Sequence, residues 1–290
     1  MGLQDHLLED PKAVKIVDCH AHTIHYSTDG VQTLEELLAD ASSKGLAGIC
    51  LTDHYDKDIC YDGIEHIFDL ATYFKHLEKT IALLPSEGLK LFKGIELGWM
   101  PHLTPLFNEI IADYPLDSVI LSLHCMDNDK DIYVDRSIYD NGVQDCFRRA
   151  LRQSVEMMQC CPDFTILAHF DYVSRYVPGG PVQMEYRTLS DEFDALFRHL
   201  IQEGKSFELN TRSVLKFRQA VHSPENAWPD PAIFRRYLEL GGRLVSLSSD
   251  THQFGEAATL FPEALDYLRQ VGVRELTHFE AMQPILTPID

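Results

Sequence analysis

Two rhythms of apolar and polar positions alternate along this chain. Seven short runs are almost continuously apolar: Lys15 to Ala21, Gly48 to Thr52, Lys90 to Leu97, Ser118 to His124, Phe164 to His169, Ser206 to Asn210 and Arg243 to Ser249. Parallel strands covered on both faces read this way. Between them, apolar residues recur every three or four positions, the period of a helix with one buried face. Thr33 opens one such segment: it forms a capping box with Glu36, Leu34, Leu37, Leu38 and Ala41 make the stripe, and Gly45 ends it. Ile67, Leu70, Ala71, Phe74, Leu77 and Ile81 form a second stripe, and Phe147, Ala150, Leu151, Ser154, Val155 and Met158 a third. Ser190 is expected to cap a helix carrying Phe193, Leu196, Phe197 and Leu200, and Asp230 with Pro231 opens one ending near Gly241. Strand and helix alternate, which predicts an α/β fold.

The chemistry sits where the apolar runs end. IVDCHAH, ICLTDH, LSLH, TILAHFD and VSLSSDTH supply His20, His22, His54, His124, His169 and His252, joined by Asp18, Asp53, Glu96, Asp171 and Asp250. Neutral imidazole suits zinc, iron and related cations, and carboxylates can bridge two cations and offset their charge. A lone histidine at a strand end is ordinarily a packing or surface residue. Five runs ending alike predict a polynuclear metal site. Strand alternation places Asp18, His20 and His22 on one face, and Asp250 with His252 on one side of the last run. In a parallel barrel the active site lies at the C-terminal strand ends, where these residues fall, and an open sheet offers no equally direct way to gather them. His6, His66, His76, His102, His199, His222 and His278 read as surface or packing residues, and His25 is open.

Composition narrows the partners. The 290 residues are within the range of a one-domain barrel, and no low-complexity tract or linker divides them. Forty-five acidic against 25 basic side chains give a formal charge of −20, with no basic run, which argues against nucleic acid. No apolar stretch approaches a membrane span and the N-terminus lacks a signal-peptide pattern, so a cytoplasmic protein with no membrane partner is expected. The seven cysteines, odd in number and without a CxxC pair, read as reduced thiols.

His20-Ala-His22, Thr52-Asp53-His54, Gly94-Ile95-Glu96, His124, His169 and Ser249-Asp250-Thr251-His252 follow the order of motifs in the polymerase-and-histidinol-phosphatase (PHP) superfamily. The resemblance runs almost the full length, and AHFDYVSRY, FELNTR and HFEAMQPILTP are similar to its histidinol-phosphate phosphatase branch. It implies that residues 1–290 form a single PHP-type phosphoesterase domain, a distorted (βα)7 TIM-like barrel holding two or three divalent ions (Zn, Mn or Fe). Carried over by position, His20, His22, Glu96 and Asp250 hold a first metal, and Glu96, His124 and His169 a second, with Glu96 bridging. His54 and His252 belong to a third, completed by His25 or Asp29. The loop HTIHYSTDG is spaced differently from the family's usual form, and Asp29 is preferred.

Such a site fits hydrolysis of a phosphate monoester by metal-activated hydroxide, and the resemblance implies histidinol phosphate as the substrate. Arg175, six residues after His169, matches the position of a phosphate-binding arginine in the family the chain resembles, and a guanidinium can grip two phosphate oxygens at once. Arg212 is a second candidate, and Asp53 is expected to orient His54. Asp127, Asp129 and Asp171 are candidates for an acidic rim that favours the cationic histidinol. The alternatives are a PHP phosphoesterase acting on a nucleotide, sugar phosphate or phosphotyrosine, an amidohydrolase-type barrel, and a non-catalytic metal-binding module. His252 after Asp250 and the glutamate of Gly94-Ile95-Glu96 favour the phosphoesterase.

Overall fold

The computed structural model describes residues 14–61, 63–127, 129–220 and 227–289. His6 and His222 lie outside them. In chain order the elements are β1 (Val17–Ala21), α1 (Leu34–Ser43), β2 (Gly48–Leu51), β3 (His54–Tyr61), β4 (Ile64–His66), α2 (Leu70–Leu83), β5 (Lys90–Gly98), α3 (Thr104–Asp113), β6 (Ser118–Ser122), β7 (Cys125–Met126) and β8 (Lys130–Asp131). There follow α4 (Val143–Cys160), β9 (Ile166–Leu167), α5 (Ser190–Gln202), β10 (Ser206–Asn210), α6 (Thr211–Ala220), α7 (Pro231–Glu239), β11 (Val245–Ser248), α8 (Phe261–Val271), β12 (Glu275–Glu280) and β13 (Gln283–Pro288).

Seven strands form the parallel wall in the order β1-β2-β5-β6-β9-β10-β11. A parallel bridge between Ala21 and Thr251 brings its two edges together. Asp250 N–H donates to His20 O and His22 N–H to Thr251 O, both at 2.9 Å, so the seam closes where the predicted ligands lie. The wall is nearly a closed barrel, as the apolar runs predict, and each of the seven runs contains one of its strands.

The interior divides into two halves. Val17, Cys19, Cys50, Phe92, Ile120, Ile166 and Ala168 pack together with Phe279 of β12, separately from the larger core between strands and helices. On the same strand faces, Ser122 stands two residues beyond Ile120 and Glu96 four beyond Phe92. An apolar half thus supports a polar one at the C-terminal strand ends. Gly94 lies between them because its strand has no room for a side chain: a Cβ there would come within 2.6 Å of Cys50 Sγ and 2.9 Å of the Leu51 carbonyl oxygen.

Side-chain caps set the starts of α1, α2 and α7. Thr33 Oγ1 accepts from Glu36 N–H (3.1 Å) and Glu36 Oε2 from Thr33 N–H (2.8 Å), the expected capping box. Asp230 caps α7 by accepting from Ala232 N–H (3.0 Å). Two expectations are corrected. Asp69 caps α2 through Thr72 N–H (2.8 Å), which leaves Ile67 outside the helix and exposed, with Tyr73 taking its place in the core. Ser190 is the first residue of α5 rather than its cap and makes no capping bond. The hairpins β3–β4, β7–β8 and β12–β13 are not anticipated by the apolar pattern, which registers only strands covered on both faces. All seven cysteines are free thiols. Among the described residues no helix is long and apolar enough to cross a membrane.

Gly94→Ala is expected to destabilise the fold by about 1–3 kcal/mol, because the backbone contact cannot relax without opening the β2–β5 pair. Urea unfolding monitored by tryptophan fluorescence checks this; an unchanged midpoint would show that the strands can separate freely here.

Candidate metal centre

Glu96 is the middle of the site, and β5 carries it there fully buried. Its two oxygens face different histidines. Oε2 lies 2.8 Å from His54 Nδ1, 3.1 Å from His20 Nε2 and 3.5 Å from His22 Nε2. Oε1 lies 3.1 Å from His169 Nε2 and 3.2 Å from His124 Nε2, and accepts a bond from Ser122 Oγ at 2.6 Å. His54 reaches Glu96 because β3 continues beside β5, with His54 paired to Glu96 in parallel register. Asp250, on the loop after β11, points Oδ1 at His22 Nε2 (3.4 Å) and His20 Nε2 (3.9 Å).

These contacts are not a satisfied hydrogen-bond network. His20 Nε2, His22 Nε2, His54 Nδ1 and Glu96 Oε2 are all buried and have no hydrogen-bond partner. Buried polar atoms are almost always paired, so orphans converging on one point fit the ligand set of a cation. Groups able to hold a metal ion are His20, His22 and Glu96; Glu96, His124 and His169; His22, His54 and His252; and His54, Asp56 and His124.

The outer ring nitrogens are held in turn. His20 Nδ1 meets Glu208 Oε1 at 3.0 Å, His22 Nδ1 meets Ser27 Oγ at 3.2 Å and His124 Nδ1 meets Asp56 Oδ2 at 2.8 Å. Each leaves Nε2 directed inward, the usual arrangement behind a metal-ligating histidine. Burial opposes the charge on Glu96, but His20, His54 and His124 outweigh it and hold its carboxyl well below the usual range. Burial, reinforced by His252 and His54, holds His22 well below the ordinary imidazole range, in the neutral form a cation requires.

Between His25 and Asp29, the structure brings Asp29 to the site. Its carboxylate lies 3.1 Å from His252 Nε2 and 3.8 Å from His54 Nε2. The His25 ring instead packs near Tyr26 and His76. Arg175 is no surface residue. It is buried, donates from Nε to Ser213 Oγ (2.8 Å), has Nη1 3.5 Å from Asp250 Oδ2, and its Nη2 is without a partner. Arg212 donates from Nη1 to Asp250 O at 2.9 Å. Both line a cavity of about 240 Å³ over the histidines, together with Lys216, which the sequence reading does not single out.

Three acids stand elsewhere than expected. Asp53 does not touch the His54 ring; it accepts from Thr23 N–H (2.6 Å), Thr23 Oγ1 (2.9 Å) and Ser27 Oγ (2.8 Å), and burial pushes its carboxyl up to about 7. It therefore stands behind Ser27, whose hydroxyl meets His22 Nδ1 at 3.2 Å. Asp171 accepts from Ser213 Oγ (2.6 Å) and supports the hydroxyl that holds Arg175, rather than lining the cavity. Asp18 turns away from the His20 and His22 rings to accept from the N–H groups of Ser249 (2.9 Å) and Ala258 (3.2 Å). An irregularity in β1 between Asp18 and Ala21 breaks the strict alternation that grouped the three.

Glu208, Asp56 and His66 were missed. Glu208 interrupts an apolar run at a buried strand position, and Asp56 lies two residues beyond His54, so both carried a readable signal. His66, read as ordinary, lines the cavity and bonds Thr28 Oγ1 (2.6 Å); it comes from β4, a hairpin strand without a signal of its own.

Residues 18–212 match the model of the PHP domain. A probable histidinol-phosphatase of Clostridium acetobutylicum is 31% identical over 251 residues, covering 86% of this chain and 91% of that protein. The histidinol-phosphatase of Lactococcus lactis is 24% identical over 271 residues, 93% of this chain and 96% of that one. A crystal structure of histidinol phosphate phosphatase from Lactococcus lactis, complexed with zinc, L-histidinol and phosphate, superposes with a TM-score of 0.81 at 24% identity, covering 93% of this chain and 99% of that one. This last likeness establishes the fold.

Glu208→Gln removes an acceptor from His20 Nδ1 or from the His169 N–H, which Oε2 accepts at 2.6 Å. Divalent-metal affinity, measured by chelator competition, is expected to fall about 10- to 100-fold. Unaltered affinity would show that Glu208 serves packing alone.

Proposed function

The chain belongs to the PHP domain family, and from that premise we propose that it is a metal-dependent phosphomonoesterase that hydrolyses histidinol phosphate to histidinol and phosphate. Glu96 carries the reading, because each of its oxygens faces a separate histidine group at 3.5 Å or less. The relatives named histidinol-phosphatase support the choice of substrate.

We assign His20, His22, Glu96 and Asp250 to one ion, Glu96, His124 and His169 to a second, and His54, His252 and Asp29 to a third, with zinc, manganese or iron as the candidates. Bound there, divalent ions supply Lewis acidity that polarises a phosphoryl oxygen and makes water nucleophilic near neutral pH. The chain itself binds and orients. Arg175 offers its unpartnered Nη2 to a phosphate oxygen, and Ser213, held by Asp171, fixes the angle of the guanidinium. Arg212 and Lys216 add positive charge on the same side of the cavity. Glu208, Asp56 and Ser27 keep the imidazoles turned inward, so the geometry is set before substrate arrives.

Phosphate release by metal-loaded protein, compared across histidinol phosphate and a panel of sugar, nucleotide and aryl phosphates, tests the assignment. The expected outcome is a kcat/KM for histidinol phosphate well above the rest, abolished by chelation and restored by zinc or manganese. Flat, slow turnover across the panel would overturn the substrate assignment. Arg175→Ala is expected to raise KM for the phosphomonoester about 10- to 100-fold with metal content normal, the loss anticipated for a charged hydrogen-bonded anchor. Unchanged kinetics would remove Arg175 from the phosphate site.

A further inference from the structure

The cavity over the histidines is electrically two-ended. Arg175, Arg212 and Lys216 stand on one side, where the proposed reaction uses them. A ladder of aromatic rings begins beside Arg175, whose Cζ lies 5.1 Å from the centre of the Tyr172 ring, and leads away from it. Tyr172 lies 4.9 Å from the His169 ring and 5.4 Å from His124; Tyr176 meets Tyr172 edge-on at 5.1 Å, and Tyr133 meets Tyr176 edge-on at 5.2 Å. Three ring-to-ring steps therefore lead from the proposed metal ligands to the turn after β8, where Asp131 joins the cavity lining.

Asp131 is held in place by its backbone. The β7–β8 hairpin pairs it with Cys125, the residue after His124, and its Oδ1 accepts from Tyr133 N–H at 2.7 Å. The cations nearby make other contacts: Lys130 and Arg149 lie 3.8 and 2.7 Å from Asp127, and Arg136 donates to Ile132 O at 2.8 Å with its Cζ 5.4 Å from the centre of the Tyr176 ring. Among the described residues Asp131 has no ion pair. A half-buried carboxylate without a cation is unfavourable, and burial duly pushes its carboxyl above the usual range. Of the acids expected to form a favourable rim, Asp127 is paired with Arg149, Asp171 is held by Ser213 and Asp129 lies outside this cavity's lining, so none of the three fills this role.

We propose that Asp131 is a specificity residue that reads a cationic group on the alcohol side of the substrate, with Tyr133 beside it at the end of the aromatic ladder. The site then selects phosphomonoesters whose alcohol carries an ammonium or imidazolium, since aromatic faces attract cations and a desolvated carboxylate pairs with them strongly. This rests on the phosphomonoesterase reading, and it holds for the class of cationic alcohols whether or not histidinol phosphate is the member used.

Asp131→Asn retains an oxygen for the Tyr133 turn and removes the charge. With metal-loaded enzyme, kcat/KM is measured for 3-aminopropyl phosphate, propyl phosphate and histidinol phosphate. The preference for 3-aminopropyl over propyl phosphate is expected to fall about 10- to 100-fold in the variant, carried mostly by KM. An unchanged preference overturns the assignment whatever happens to absolute rates, so a general loss of folding cannot mimic success. A wild-type enzyme that favours the amine yet ignores histidinol phosphate would uphold Asp131 and overturn only the substrate named above. Absence of turnover on all three would overturn the phosphomonoesterase reading and this inference with it.

Discussion

A carboxylate buried without any exposure, with five imidazoles around its two oxygens, is the constraint from which the rest of this structure follows. An ionised group in a dry interior is unfavourable by many kcal/mol unless charge and hydrogen bonds compensate it. Glu96 is compensated from every side, by histidines from β1, β3 and the loops after β6 and β9, and by the Ser122 hydroxyl. Those strand ends have to converge on β5, and a nearly closed parallel barrel is the arrangement that makes them do so.

Convergence alone would leave the rings free to rotate. The layer behind them removes that freedom, because Glu208, Ser27 and Asp56 each hold the outer nitrogen of one histidine. Asp53 extends this one step further by holding Ser27 and the backbone of Thr23 together. Charge at the top of the barrel is in turn supported by the apolar half beneath it, where Phe279 of the terminal hairpin packs among the strand residues. The site is rigid because two different kinds of packing, polar above and apolar below, share the same strands.

The cavity over this centre separates charge. Arginines and a lysine lie where a phosphate would be held, and a run of tyrosines leads away to Asp131, a carboxylate with no ion pair among the described residues. A molecule bearing an anion at one end and a cation at the other would complement both. The acidic character of the whole chain says little about this, since most of its carboxylates are solvated or paired with surface cations.

The strand-end histidines, Glu96 and Asp250 could be read from the sequence because ligand type and strand face are local properties, set by residue identity and by the period of the element. The barrel, the capping box at Thr33 and the cap at Asp230 were legible for the same reason. Tertiary structure alone decided that Asp29 rather than His25 approaches His252, that Asp53 holds Ser27 rather than the His54 ring, and that Asp18 turns from the site at the irregularity in β1. It also decided that Asp131, not Asp127 or Asp171, faces the cavity. Each of these is a matter of what a side chain meets across the fold, as when His20 meets Glu208 from 188 positions away. Periodicity specifies which way a residue points along its own strand; which neighbour waits there depends on register, bulges and hairpins that only the closed barrel sets.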